Sequence, residues 1–166
     1  MRKEGKMANQ KEPRVKLPPV SQIGIVVRDM DKAIEYYSST FGWGPFKVSD
    51  VEVEDIIFRG SAVRSRTRLG FTSIGPITIE LIQVLEGETL HTEFLREKGE
   101  GIQHLRFEVD DLDSALCELA QDGIHPVFHQ ELPEFGLSFA YLDTDRIGGV
   151  MFELVEIAES HKRWWR

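Results

Sequence analysis

Four side chains in this 166-residue sequence have the types and surroundings to hold a divalent cation and move a proton beside it: Gln22, Glu80, His104 and Glu153. Each lies in a β-rich run beside large apolar residues: Gln22 before Ile23, His104 before Leu105, Glu80 between Ile79 and Leu81, and Glu153 between Phe152 and Leu154. Successive side chains of a strand point to opposite faces, so the four polar groups share one side if their strands share a sheet. Two carboxylates converging on one concave site repel unless they are protonated or neutralised, and a divalent cation is the simplest neutraliser. One imidazole nitrogen and three oxygens suit Zn, Ni, Co, Mn or Fe. Four protein donors leave room in an octahedron for two waters or a bidentate substrate. Taken alone, His104 reads as a structural histidine; the organisation of the chain ties it to the other three.

That organisation is an internal repeat. Val20–Arg28 reads as a strand, and Asp29 is a candidate N-cap for a helix running to Phe41, stopped by Gly42 and Gly44-Pro45. The same sentence recurs as a strand over Gln103–Val109 and a helix opened by Asp111 and closed by Gly123 and Pro126. Val27-Arg28-Asp29-Met30-Asp31 superposes on Val109-Asp110-Asp111-Leu112-Asp113 at a constant offset of 82, which carries Gln22 onto His104. Three β-type runs follow in each half: Val48–Phe58, Arg64–Thr72 and Ile77–Val84, then Val127–Gln130, Leu137–Leu142 and Val150–Ile157. The closing runs, Ile79-Glu80-Leu81-Ile82 and Phe152-Glu153-Leu154-Val155, each set one glutamate between apolar residues. Charged residues are seldom fully buried without a partner. The expected fold is α+β, with residues 1–18 as a flexible basic tail, module one over 19–85, a linker over 86–101, module two over 102–157, and a C-terminal tail over 158–166.

Composition narrows the function classes. The chain is 41% hydrophobic and 29% charged, enough apolar mass for a sizeable core. Its net charge is −8; residues 1–18 carry six basic and two acidic side chains, or +4, which leaves −12 on the rest. An acidic body argues against a phosphate-backbone footprint, so no nucleic-acid partner is expected. With Cys117 as the single cysteine, an intrachain disulfide and a Cys-rich zinc site are excluded. No apolar run approaches the roughly 20 residues that span a bilayer, and no secretory leader is visible, so the expectation is a soluble cytoplasmic protein without a membrane partner.

With QIGIVVRDMDKAIEYYSSTFGWGPF, ITIELIQ, FLREKGEGIQHLRFEVDDLDSALCEL and GGVMFELVE on the page, residues 20–157 resemble the vicinal oxygen chelate superfamily. The resemblance implies two tandem βαβββ modules forming a half-open, metal-centred β-barrel, with metal ligands falling on Gln22, Glu80, His104 and Glu153. Phe94–Leu105 and Gly148–Glu153 look most like methylmalonyl-CoA epimerases. Those enzymes place His at the first ligand, whereas Gln there followed by Glu, His and Glu is similar to glyoxalase I. The glyoxalase I reading lacks its arginine, replaced by Glu100, and its asparagine, replaced by Val84. The epimerase reading lacks a clear match to a further glutamate, for which Asp55 is the nearest acidic residue. The ligand set argues against an extradiol dioxygenase, which uses two His and one carboxylate.

The resemblance therefore implies a divalent-metal-dependent epimerase or isomerase that abstracts a proton next to a carbonyl, with Glu153 and Glu80 as the proton-transfer groups and an acyl-CoA as the substrate. A lactoylglutathione lyase is the alternative, and a non-catalytic small-molecule binding or resistance protein is the alternative of another class. The family commonly forms homodimers, some by exchanging modules. Elsewhere, Arg64, Arg66 and Arg68 alternate along one run and read as a solvated sheet face or as a grip on a substrate phosphate. Trp43 reads as a pocket wall or as core packing. His91, His125 and His129 lie near turn signals and carry no assigned role. The mix of cations and aromatics in His161–Arg166 reads as a dimer contact or a disordered end.

Overall fold

The computed structural model describes residues 12–58, 61–146 and 148–162. Residues 1–11, the final four residues 163–166 and the side chain of Asp55 lie outside the described residues. The element order is β1 (Gln22–Val26), α1 (Met30–Phe41), β2 (Lys47–Phe58), β3 (Ser61–Ile74), β4 (Ile77–Glu86), α2 (Leu90–Glu97), β5 (Gly101–Glu108), α3 (Leu112–Ala120), β6 (Pro126–Leu132), β7 (Leu137–Leu142) and β8 (Met151–Ile157). The eight strands form one sheet in the order β2-β3-β4-β1-β5-β8-β7-β6. Its far ends approach each other, because Val53 and Val63 pack into the cluster built on Leu90, Phe128 and Tyr141. The result is a curled half-barrel.

The sheet has an internal twofold character that can be read from its register. At its centre β1 runs antiparallel to β5, with Gln22 opposite Arg106 and Gly24 opposite His104. Adding 82 to 22 and 24 gives 104 and 106, so each pair is the image of the other. Outward from the centre, β4 lies parallel to β1 with Glu80 beside Gly24, and β8 lies parallel to β5 with Glu153 beside Arg106. The helices obey the same relation: Asp29 caps α1 by accepting from the Lys32 amide, and Asp111 caps α3 by accepting from the Ser114 amide.

Both helices cover the convex face. Ile23, Ile25, Val27, Ile79 and Leu81 pack with Met30 under α1, and Leu105, Phe107 and Leu154 pack with Leu112 and Ala115 under α3. Period-2 alternation then turns Gln22, Gly24, Glu80, His104, Arg106 and Glu153 to the concave face.

Two features differ from the sequence reading, and two alternatives it left open are decided. The expected linker holds α2, whose N-terminus carries a capping box between Thr89 and Thr92 and whose Leu90 is buried. Its eight residues are too few for periodicity to announce them. The end of the expected free tail is docked: Arg14 bonds Asp122 and Gln121, and Val15 and Leu17 pack against the α3 cluster. The three arginines of β3 face away from the cavity and pair with Glu52, Glu86 and Asp50 respectively, the solvated-face reading and not a phosphate grip. Trp43 stacks on Tyr37 at 4.8 Å and belongs to the α1 cluster, so it is core packing and no wall of the concave site. Among the described residues, no helix is long and apolar enough to cross a membrane.

Candidate active site

The concave face encloses a cavity of about 290 Å³. Its walls are apolar, with Leu69 from β3 and Phe128, Leu132, Leu137 and Phe139 from β6 and β7; its polar floor carries Gln22, Glu80, Arg106 and Glu153. Few convergent polar groups beneath apolar walls are the usual make-up of a small-molecule site.

Of the four residues singled out by the repeat, Gln22, Glu80 and Glu153 line this floor, and the fully buried His104 lies against both glutamates just behind it. Gln22 comes from β1, Glu80 from β4, His104 from β5 and Glu153 from β8, so each module supplies an opening-strand donor and a closing-strand carboxylate. Nε2 of His104 lies 3.4 Å from Oε2 of Glu80 and 3.4 Å from Oε2 of Glu153. The Gln22 side-chain amide donates to Oε2 of Glu80 at 2.7 Å. All four are buried, His104 completely. Gly24 makes this possible: a Cβ there would sit 1.9 Å from Cε1 of His104, so only glycine leaves room for the imidazole across the strand pair.

The hydrogen bonds are incomplete in a telling way. Oε1 of Gln22, Nε2 of His104 and Oε2 of Glu153 are buried without a hydrogen-bond partner, an uncommon state for polar atoms. Two ligand atoms about 2.1 Å from one ion at a tetrahedral angle stand about 3.4 Å apart, which matches both His104 separations. Of the atoms so spaced, Nε2 of His104 and Oε2 of Glu153 lack a partner, and with the orphaned Oε1 of Gln22 they make a donor set that fits a divalent cation. The set is not drawn up as a finished coordination sphere: among the described residues, no group of three His, Cys, Asp or Glu side chains stands ready to hold an ion. The fit therefore rests on donor type, orphaned atoms and spacing.

A layer behind the floor fixes His104. The Gln103 amide donates from Nε2 to the Leu90 carbonyl, which leaves its Oε1 as acceptor for Nδ1 of His91 at 2.7 Å and Nδ1 of His104 at 3.3 Å. That network puts the proton of His104 on Nδ1 and turns the Nε2 lone pair toward the two glutamates, as second-layer bonds do for metal-binding histidines. Tyr141 packs edge-on against both imidazoles. Burial raises the Glu153 carboxyl above its usual range; His104 and Arg106 pull it down and Glu80 pushes it up. Burial likewise lifts the Tyr141 hydroxyl well above its ordinary value, with Glu153 and Glu80 adding to the effect. Sequence reasoning assigned His91 no role and missed Gln103, Tyr141 and Arg106. His91 sits in the stretch read as linker, and only the fold of α2 brings it to the floor.

Burial drives the His91 pKa down to about 4, with His104 adding to the depression. The folded protein therefore holds His91 neutral where the unfolded chain, near 6.5, begins to protonate. A lowered histidine pKa contributes stability that is present above 6.5 and lost as pH falls toward 4, by at most about 1.4 kcal/mol per pH unit. The melting temperature measured between pH 7 and pH 4.5 is expected to fall more steeply for the natural protein than for His91→Gln, and parallel curves would contradict this role.

Residues 21–141 match the Glyoxalase/Bleomycin resistance protein/Dioxygenase superfamily. The chain belongs to that superfamily, in agreement with the resemblance read from its motifs. Mouse mitochondrial methylmalonyl-CoA epimerase is 26% identical over 147 residues, covering 87% of this chain and 76% of that protein. Among solved structures, a Streptomyces coelicolor methylmalonyl-CoA epimerase variant in complex with 2-nitronate-propionyl-CoA aligns with a TM-score of 0.65 at 22% identity, over 87% of this chain and 97% of that one. Methylmalonyl-CoA epimerase from Mycobacterium tuberculosis aligns with a TM-score of 0.61 at 25% identity, over 93% and 96%.

Proposed function

We propose that the protein is a divalent-metal-dependent epimerase or isomerase that exchanges a proton next to a carbonyl, with an acyl-CoA such as methylmalonyl-CoA as substrate. The observation that carries this reading is the cluster of three orphaned donors, on Gln22, His104 and Glu153, at the floor of an apolar cavity beside Glu80. Epimerases among the relatives support the reaction class. Gln22, Glu80, His104 and Glu153 would hold the ion, which supplies Lewis-acid stabilisation, worth several kcal/mol, of charge building on a carbonyl oxygen.

The remaining work falls to the chain's own residues. Glu80 and Glu153 flank His104 from two modules, so a substrate carbon seated between them meets one carboxylate from each side. One, ionised, removes the proton, and the other, already protonated, delivers its own proton to the opposite face, which inverts the centre and leaves the two protonation states exchanged. The apolar walls exclude water that would quench the developing charge.

The test is transfer of deuterium from D₂O to the α-carbon of methylmalonyl-CoA by protein supplied with cobalt, nickel, zinc, manganese or iron. Exchange with loss of stereochemistry is expected. No exchange with any metal, alongside turnover of the hemithioacetal of methylglyoxal and glutathione, would replace this reading by the lyase. Against the lyase, Glu100 stands at the position of the expected glutathione-binding arginine and accepts from the Arg28 amide. Tight ligand binding without exchange would favour a binding protein.

A further inference from the structure

The internal twofold is broken at one place on the cavity floor. Gly24 and Arg106 occupy equivalent positions in β1 and β5, yet one has no side chain and the other has the longest cationic one. The glycine is explained by the His104 ring that fills its space. Within the fold the arginine acts on the neighbouring Glu153 by its charge, without an ion pair or side-chain hydrogen bond to it. Arg106 lines the cavity next to Glu153, its Nε is buried without a hydrogen-bond partner, and its guanidinium has no ion-pair partner among the described residues. Arg14, Arg66, Arg68, Arg96 and Arg146 each pair with a carboxylate. In a chain with net charge −8, a half-buried guanidinium with an orphaned Nε and no ion pair is a costly feature. A planar fork of donors suits a carboxylate better than any other small anionic group on a carbon skeleton.

We propose that Arg106 reads the substrate: it receives a carboxylate of an acyl compound whose reactive carbon lies between Glu80 and Glu153 and whose apolar substituent lies along Phe128, Leu137 and Phe139. This deepens the proton-exchange reading above and rests on it. The substrate class is a 2-alkyl-substituted malonyl-type acid in which an alkyl group longer than methyl binds more tightly than methyl itself. A methyl group would leave most of the apolar wall facing water, whereas a chain of several carbons covers it. Arg106 is a specificity residue here; it moves no proton.

The experiment is calorimetric binding of n-butylmalonate, malonate and n-butylmalonamide to the natural protein and to Arg106→Gln, Arg106→Lys and Arg68→Gln, each with and without cobalt. Arg68 lies on the opposite face and serves as the control for a lost arginine. The natural protein is expected to bind n-butylmalonate at least tenfold more tightly than malonate or the diamide. Arg106→Gln loses at least tenfold for the diacid and little for the diamide, Arg106→Lys falls between, and Arg68→Gln changes nothing. Cobalt affinity, measured alone, stays within threefold in every variant. Equal affinity of the natural protein and Arg106→Gln for n-butylmalonate would overturn the inference. Absence of cobalt binding in the natural protein would instead overturn the metal reading, and the Arg106 effect in cobalt-free protein would still decide the present one.

Discussion

Glu153→Gln is expected to lower proton exchange by about 100-fold or more while raising the melting temperature of the metal-free protein. A positioned general base contributes about 10²–10⁴ in rate, and the amide cannot accept the proton. The opposite sign in stability follows from the surroundings. Glu153 is buried, its Oε2 has no partner, and burial raises its carboxyl pKa above the usual range. Leaving a buried charged acceptor unsatisfied costs about 1–3 kcal/mol, and glutamine keeps the shape while removing the charge. For a chain of this size, about 1 kcal/mol moves the melting point by roughly 2–4 °C. A residue that merely stabilised the fold would lose stability and activity together. Thermal melts of chelated protein beside an exchange assay distinguish the two, and a lower melting point in the variant would contradict the proposed role.

Gly24→Ala is expected to destroy the site from a position that bears no functional group. The added methyl carbon falls 1.9 Å from Cε1 and 2.4 Å from both nitrogens of the His104 ring. Ordinary contact needs more than an ångström of further separation, and the fully buried ring has no free space to take it up. Replacing glycine in a strand gains roughly 0.5–1 kcal/mol of chain entropy, while overpacking a tight interior costs about 1–3 kcal/mol or more, so the clash wins. A displacement of about 1 Å is enough to spoil a site of this kind. The variant should lose both proton exchange and metal affinity by 100-fold or more, with a lowered melting temperature. Unchanged metal affinity in a folded Gly24→Ala protein would contradict the placement of His104.

The site was legible in the sequence to the extent that the two halves of the chain repeat each other. An offset of 82 placed Gln22 on His104, and the matching closing strands supplied Glu80 and Glu153; the register of β1 against β5 shows the same offset. Alternation told which residues faced inward, because each donor sits next to at least one apolar residue that the convex-face helices must cover. What escaped has no local signature. His91 and Gln103 act through contacts made by α2, a helix whose formation depends on Leu90 finding the core. Arg106 reads in sequence as one more polar residue of an alternating strand, and its lack of an ion-pair partner among the described residues shows only in three dimensions. Arg14 belonged to a segment with no hydrophobic period, yet Val15 and Leu17 each find an apolar surface beside α3. The cavity walls combine β3 with β6 and β7, which lie far apart along the chain and meet only when the sheet curls.

The central claim is that Gln22, Glu80, His104 and Glu153 form one metal centre, and cobalt(II) titration followed by visible absorption tests it most directly. One equivalent per chain is expected to bind and produce ligand-field bands, and His104→Ala is expected to abolish them. A natural protein that takes up no cobalt, or a His104→Ala variant with the same stoichiometry and spectrum, would contradict the account.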